Sequence, residues 1–269
     1  MSQKQRRFVA KRRWLYPVGL EREYQRFAKR LVKALLEAGK EELASLQRLA
    51  TYSTIKTDGV SADIITIMQA VRKRFGSKIS DMQMEAEIRR LAKLTDDYNS
   101  KQFQAAIRSA LQVDIFQHEP WLQELTNMWV AENVRLIKSI PEQFFGDVEG
   151  IVNRGLMDGS LGSEMGDDIK RVYEVTDRRS QLIARDQVGK LNGDLTKYRQ
   201  TGVGIESYVW STSKDSRVRP QHSAREGKEY KWIGPPPGGH PGKAIYCRCV
   251  ALPVIDLDKI QYVGMPGRR

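Results

Sequence analysis

Four side chains near the C-terminal end have the types and spacing to hold a metal: His222, His240, Cys247 and Cys249. Cysteines at i and i+2 of a strand point to the same face, with Cα atoms about 6.6 Å apart. That separation is near the upper limit a disulfide spans, whereas two thiols and two imidazoles satisfy a closed tetrahedral Zn²⁺ site. The surrounding segment holds three consecutive prolines, Pro235 to Pro237, and many glycines. It has little core of its own, so a structural zinc would help it fold. The spacing matches no standard finger, however. In a second reading the cysteines pack as small hydrophobes and the histidines hydrogen-bond to backbone. Both readings stand on the residues alone. His118, just before a helix, is not counted as a ligand. A zinc-dependent hydrolase is a weaker alternative, because it needs an open coordination position and a base, for which Glu226 is the one obvious candidate.

Arg185, Asp215, Arg217 and Arg219 form a second constellation. Planar guanidinium forks meeting a carboxylate would brace strand against helix as an ion-pair network; the alternative is a solvated turn. A third set is the basic arm of Lys4, Arg6, Arg7, Lys11, Arg12 and Arg13, with no acid among the first thirteen residues. It is either a solvated tail or a contact for nucleic acid.

The elements that position these groups are mostly helices. Apolar residues recur at helical spacing over 18–49, where Tyr24, Phe27, Leu31, Leu35 and Leu36 share a face. Asp58-Gly59 signals a turn. Further helices are expected over 61–74 with Ser61 as N-cap, from Ser80 and Asp81 through Leu94, and over 100–111. An amphipathic helix over 120–140 starts on Pro120 and ends at Pro141. Trp121 and Trp129 on it read as core. Helices over 141–157, 163–173 and 177–199 follow, with Gly193 a weak interior point and Gly202 a terminator. Beyond Gly202, 205–211 and 246–254 read as strands by their β-branched and aromatic content, and 234–242 as a loop. The fold class is therefore mainly α with a small C-terminal α+β module. Its division is a basic arm over 1–17, a helical region over 18–140, the module over 141–255 and a tail over 256–269.

Composition narrows the function classes. A chain of 269 residues with a net charge of +12 favours an anionic partner: nucleic acid, an acidic protein surface or a membrane face. No apolar run reaches the roughly 18 residues that a spanning helix requires. The first residues have charge but no apolar stretch behind it, so a signal peptide is not expected. Two cysteines are too few for a secreted disulfide framework. No phosphate-cradling glycine loop and no deaminase pattern is present.

The ordered motifs carry a resemblance. Trp210-Ser211-Thr212, Asp215-Ser216-Arg217-Val218-Arg219, His222, Gly227, His240-Pro241 and Cys247-Arg248-Cys249 occur in that order. Leu182-Ile183-Ala184-Arg185-Asp186 lies upstream of them. Together they closely resemble the phage Mu F-like minor head proteins, also called head-morphogenesis proteins; Asp186 and Gln187 depart from the usual pattern. The resemblance covers roughly 151–254. It implies a non-enzymatic minor capsid protein of a tailed bacteriophage, acting in head assembly or genome delivery. It implies a location in the virion, at the portal vertex of the head, after synthesis in the host cytoplasm. The implied partners are the portal protein, other head proteins and, in some relatives, phage DNA without sequence preference. Some relatives append a toxin domain; the short stretch after Pro253 leads us to expect none here. Non-specific DNA binding is the alternative function.

Overall fold

The computed structural model describes residues 6–10, 12, 14–52, 60–114, 118–158 and 162–260. They form six helices and four strands: β1 (Arg7–Val9), α1 (Val18–Tyr52), α2 (Val60–Lys78), α3 (Asp81–Leu111), α4 (Leu122–Asp158), α5 (Gly162–Gly202), β2 (Ser207–Ser211), α6 (Pro220–Ser223), β3 (Glu229–Lys231) and β4 (Val250–Asp256). The expected class, mainly α with a small α+β module near the C-terminus, is what the chain adopts. No helix among the described residues is long and apolar enough to cross a membrane.

Two compact units are assembled from non-adjacent stretches: Met1–Arg22 with Arg90–Trp129 and Arg185–Arg269, and Glu23–Arg89 with Val130–Ala184. The division at 140/141 read from the sequence falls within α4. In the second unit α1 buries Tyr24, Phe27, Leu31 and Leu35, the stripe its spacing sets. The buried Tyr24 hydroxyl donates to Asn133 Oδ1 at 3.0 Å.

The helices are fewer and longer than the sequence pattern implies. α3 opens on a reciprocal cap, in which the Ser80 N–H donates to Gln83 Oε1 at 2.8 Å and the Gln83 N–H to Ser80 Oγ at 3.2 Å. It then runs unbroken through the polar stretch Thr95–Ser100, where two helices were expected. Thr95 and Asn99 are fully buried there. The Asn99 amide donates to Asn192 Oδ1 at 3.0 Å and Thr196 Oγ1 at 2.8 Å, both on α5. A polar run that looks like a linker is thus the hydrogen-bonded seam of a helix pair.

Pro141 lies inside α4 instead of ending it. A proline there removes one helical hydrogen bond, but Ile137, Ile140, Phe144, Phe145 and Val148 are buried on either side of it, and their packing holds the helix. α5 likewise continues through 174–176, where a break was expected. Thr176 Oγ1 donates back to the Val172 carbonyl at 2.8 Å, one turn away.

α5 ends at Gly202, the predicted terminator, and the residue that closes it lies two positions further on. Gly204 is left-handed at φ 83°; its N–H donates to Thr201 O at 3.0 Å and the Ile205 N–H to Gln200 O at 3.0 Å. This is a Schellman closure with Gly204 at the left-handed position. Gln200, fully buried, then ties the helix to the sheet. Its amide donates to Ala251 O at 2.9 Å, and its carbonyl accepts the Trp232 indole N–H at 3.1 Å.

The sheet is antiparallel in the order β1-β4-β2-β3. Phe8 pairs with Ile255, Tyr208 with Pro253 and with Tyr230. Part of the expected basic arm is therefore an edge strand. Tyr208, Trp210, Trp232, Cys247, Cys249 and Ala251 form the small core over the sheet. The predicted strand over 246–254 begins only at Val250.

Candidate metal centre

Three elements converge on the cysteines. The one-turn helix α6, started by Pro220 in its first turn, carries His222. A turn closed by the Cys247 N–H donating to Ala244 O at 2.9 Å delivers Cys247. Tyr246, just before it, takes φ 60°, a conformation costing a non-glycine residue about 1–2 kcal/mol. Cys249 follows immediately before β4. The cysteines precede the strand and do not lie on it, yet their sulfurs still share one side. His222 Nδ1 is 3.7 Å from Cys247 Sγ and 3.6 Å from Cys249 Sγ. The three ligand atoms lie within 4.8 Å of one another, and each residue is about 5% exposed.

Their surroundings favour a thiolate at Cys247. The Cys249 thiol donating to it lowers the Cys247 pKa, with help from the Gly242 N–H at 3.4 Å, against the opposing effect of burial. The same thiol contact and burial push Cys249 up. Burial, then the positive charges of Arg219 and Arg225, lower His222, which keeps the ring neutral and its nitrogen free to accept or ligate.

His240 is held apart from this group. Its Nδ1 lies 2.9 Å from the buried Tyr208 hydroxyl, and its ring packs against Trp232 at 4.9 Å. Of the four residues singled out in the sequence, the structure brings together three and places His240 as a brace of the small aromatic core.

The arginine constellation is likewise brought to one place, without becoming one network. Asp215 accepts from Arg217 at 3.3 Å and from Arg248 at 2.6 Å. Arg219 donates to the Ile245 carbonyl. Arg185, on α5, pairs with the buried Glu21 at 2.9 Å and lies 4.9 Å over the Tyr246 ring. Arg248 is the partner that the sequence pattern alone does not single out, although its place between the two cysteines was the available signal. Burial raises the Asp215 pKa, but the Arg217 backbone N–H and the Arg248 and Arg217 charges outweigh it, and the net shift is downward.

All four arginines, with Ser213, Val218, Tyr246, His222, Cys247 and Cys249, line one cavity of about 270 Å³. Glu226 is not among its walls. The Glu226 carboxylate accepts the Thr212 N–H at 2.5 Å and pairs with Lys214 at 3.6 Å.

Two helical glycines let the ligand loop approach α5. A Cβ on Gly189 would stand 3.1 Å from Cys247 O, and one on Gly193 would stand 2.7 Å from Pro241 O. Gly193, a weak point by helix propensity, is an opening for the loop backbone.

Of the basic arm, Arg6 pairs with Asp258 at 2.6 Å and Arg7 with Glu229, and Arg12 is exposed. Lys4, Lys11 and Arg13 lie outside the described residues, as do the Asp58-Gly59 turn and the tail from 261 onward.

Comparison with known proteins agrees with the motifs. No solved structure matches the chain. A Haemophilus influenzae protein, named only as an uncharacterized protein, is 36% identical over 165 residues. The match takes in 60% of this chain and 37% of that protein, so the chain corresponds to well under half of this relative. Residues 146–252 match the family described as "Phage Mu protein F like protein". That stretch holds α5, β2, α6, β3, the start of β4 and the whole thiol–imidazole cluster. Over those residues, about two fifths of its length, the chain is similar to the phage Mu protein F-like family.

Proposed function

We propose that this chain is a minor head protein of a tailed bacteriophage that sits at the portal vertex and acts in head assembly or genome delivery. The observation that carries the reading is the family match over 146–252, on a module closed by backbone and aromatic contacts. The long helices supply extended faces of the kind a protein partner docks on, and the net charge of +12 suits a place beside packaged DNA. The expected result is that the chain copurifies with the portal protein, procapsids and mature heads. Quantitative mass spectrometry of purified particles is the measurement, and absence from both procapsids and virions would overturn the proposal.

The DNA contact is a separable part of this reading. Arg6 and Arg7 are occupied by Asp258 and Glu229, which moves the nucleic-acid role toward Lys4, Lys11, Arg12 and Arg13. Replacing those four by glutamine, while keeping β1 intact, should flatten the salt dependence of DNA binding. The slope of log K against log salt should drop by about 0.9 for each phosphate that is no longer neutralised. An unchanged slope would assign the arm to a protein partner or to solvent.

A further inference from the structure

We propose that His222 Nδ1, Cys247 Sγ and Cys249 Sγ bind one Zn²⁺ whose fourth coordination position opens into the arginine-lined cavity. The separations carry the argument. Around a tetrahedral zinc with Zn–S of about 2.3 Å and Zn–N of about 2.0–2.1 Å, sulfur and nitrogen stand about 3.6 Å apart and the two sulfurs about 3.8 Å. The observed sulfur–nitrogen separations are 3.7 and 3.6 Å, and all three atoms lie within 4.8 Å of one another.

The two sulfurs and the imidazole nitrogen close on one point: Cys249 donates to Cys247, and both sulfurs face the single lone pair of His222 Nδ1. One metal ion at that point would meet all three ligand atoms at once. The Gly242 N–H aimed at Cys247 Sγ at 3.4 Å is the outer contact expected of a metal-bound thiolate. Arg248, which the chain forces between the two cysteines, is turned onto Asp215 at 2.6 Å.

The fourth position follows from the rest of the surroundings. Among the described residues no further histidine, cysteine or carboxylate joins the group, and His240 is engaged by Tyr208 at 2.9 Å. The three ligand residues instead form part of the cavity wall together with Arg185, Arg217, Arg219 and Arg248. An open position on zinc takes water or a small exogenous ligand, and four guanidinium groups around it favour an anionic one. The site is therefore a Cys₂His site with an exchangeable ligand, not a closed Cys₂His₂ clip.

The test uses the full chain purified without chelator, and its readouts do not depend on particle assembly. Elemental analysis should give one zinc per chain. Cys247→Ser, Cys249→Ser and His222→Gln should each bring occupancy close to zero, while His240→Gln should keep one zinc. Because such substitutions can also disturb folding, the unmodified chain is loaded with Co²⁺ as a second measurement. Its visible absorption should show tetrahedral thiolate coordination, and the bands should shift on titration with azide. A folded chain without metal would overturn the site. A loss of zinc in His240→Gln equal to that in His222→Gln, or Co²⁺ bands indifferent to azide, would overturn the open position.

Discussion

Arg199→Met is expected to destabilise the chain by about 3–5 kcal/mol, because it removes the cation from a buried cluster and leaves two carboxylates facing each other. Arg199 is 1% exposed. Its Nε and Nη2 meet both oxygens of Glu119 at 2.7 and 2.8 Å, the parallel two-bond geometry that makes arginine–carboxylate pairs strong. Nη2 also reaches Asp96 Oδ1 at 2.5 Å, and Nη1 reaches Asn99 Oδ1 at 2.9 Å. The guanidinium lies beside Trp121, which itself stacks on Tyr198 at 5.0 Å. Burial works against the charge on Arg199, but Glu119 and Asp96 overcome it and raise its pKa. The cluster joins α3, α5 and the segment leading into α4, so its removal loosens the helices that carry the module.

Urea unfolding of wild type and variant, followed by tryptophan fluorescence, measures the cost. Arg199→Lys should keep the charge but lose the fork, and so recover only part of the stability. Adding Glu119→Gln to Arg199→Met should also recover part, since one of the uncompensated charges disappears. A cost for Arg199→Met below about 1 kcal/mol, the range of exposed ion pairs, would refute the buried-cluster account.

Arg199 also shows why the sequence was only partly legible. The apolar periods of α1, α4 and α5 mark the helices, and the β-branched and aromatic run around Tyr208 marks the strand. The pattern breaks helices at 95–100 and 174–176, where polar residues are buried inside unbroken α3 and α5. Thr95, Asn99 and Thr176 have the composition of a linker, and only their partners make them interior: Asn192 and Thr196 for Asn99, the Val172 carbonyl for Thr176. Those partners are remote in sequence or back along the same helix, and composition alone does not pair them. Strand β1 was invisible for a similar reason: Arg-Phe-Val among many charges has no strand signature until β4 is there to pair with it.

The site was legible in its chemistry and not in its membership. Residue type singled out His222, His240, Cys247 and Cys249, and the spacing of the cysteines anticipated a shared side even though they lie outside the strand. Nothing in the sequence ranks His222 over His240. The choice is made by Tyr208, whose hydroxyl takes up His240, and by α6, which turns His222 toward the sulfurs. In the same way Asp215 was picked out as an ion-pair centre, while its closest partner, Arg248, became apparent only when the turn at Tyr246 brought the Cys-Arg-Cys segment back beside it.

Gly242→Ala should be the most damaging single-methyl addition in the module. Gly242 has φ 90°, outside the region a side chain adopts without strain, which costs about 1–3 kcal/mol. The added Cβ would also stand 2.6 Å from the Gly189 carbonyl oxygen and 3.2 Å from Gly193 Cα. Both neighbours are helix backbone, which cannot swing aside as a flexible side chain would, and overpacking of this kind costs about another 1–3 kcal/mol. Gly193→Ala meets the same interface from the helix side, with Pro241 O at 2.7 Å. It carries only the overpacking cost, offset by up to about 1 kcal/mol of improved helix propensity. Gly146→Ala in α4, with nothing within 4 Å of its Cβ, should instead stabilise by about 0.4–1 kcal/mol. The expected order in thermal or urea unfolding is therefore Gly242→Ala worst, Gly193→Ala intermediate and Gly146→Ala neutral to favourable. Because the Gly242 N–H points at Cys247 Sγ, the first variant should also weaken zinc binding about 10–100-fold, the usual effect of disturbing a hydrogen bond to a metal ligand. If Gly242→Ala unfolds no more readily than Gly146→Ala, the close approach of the loop to α5 is wrong, and with it the geometry that presents Cys247 to the metal.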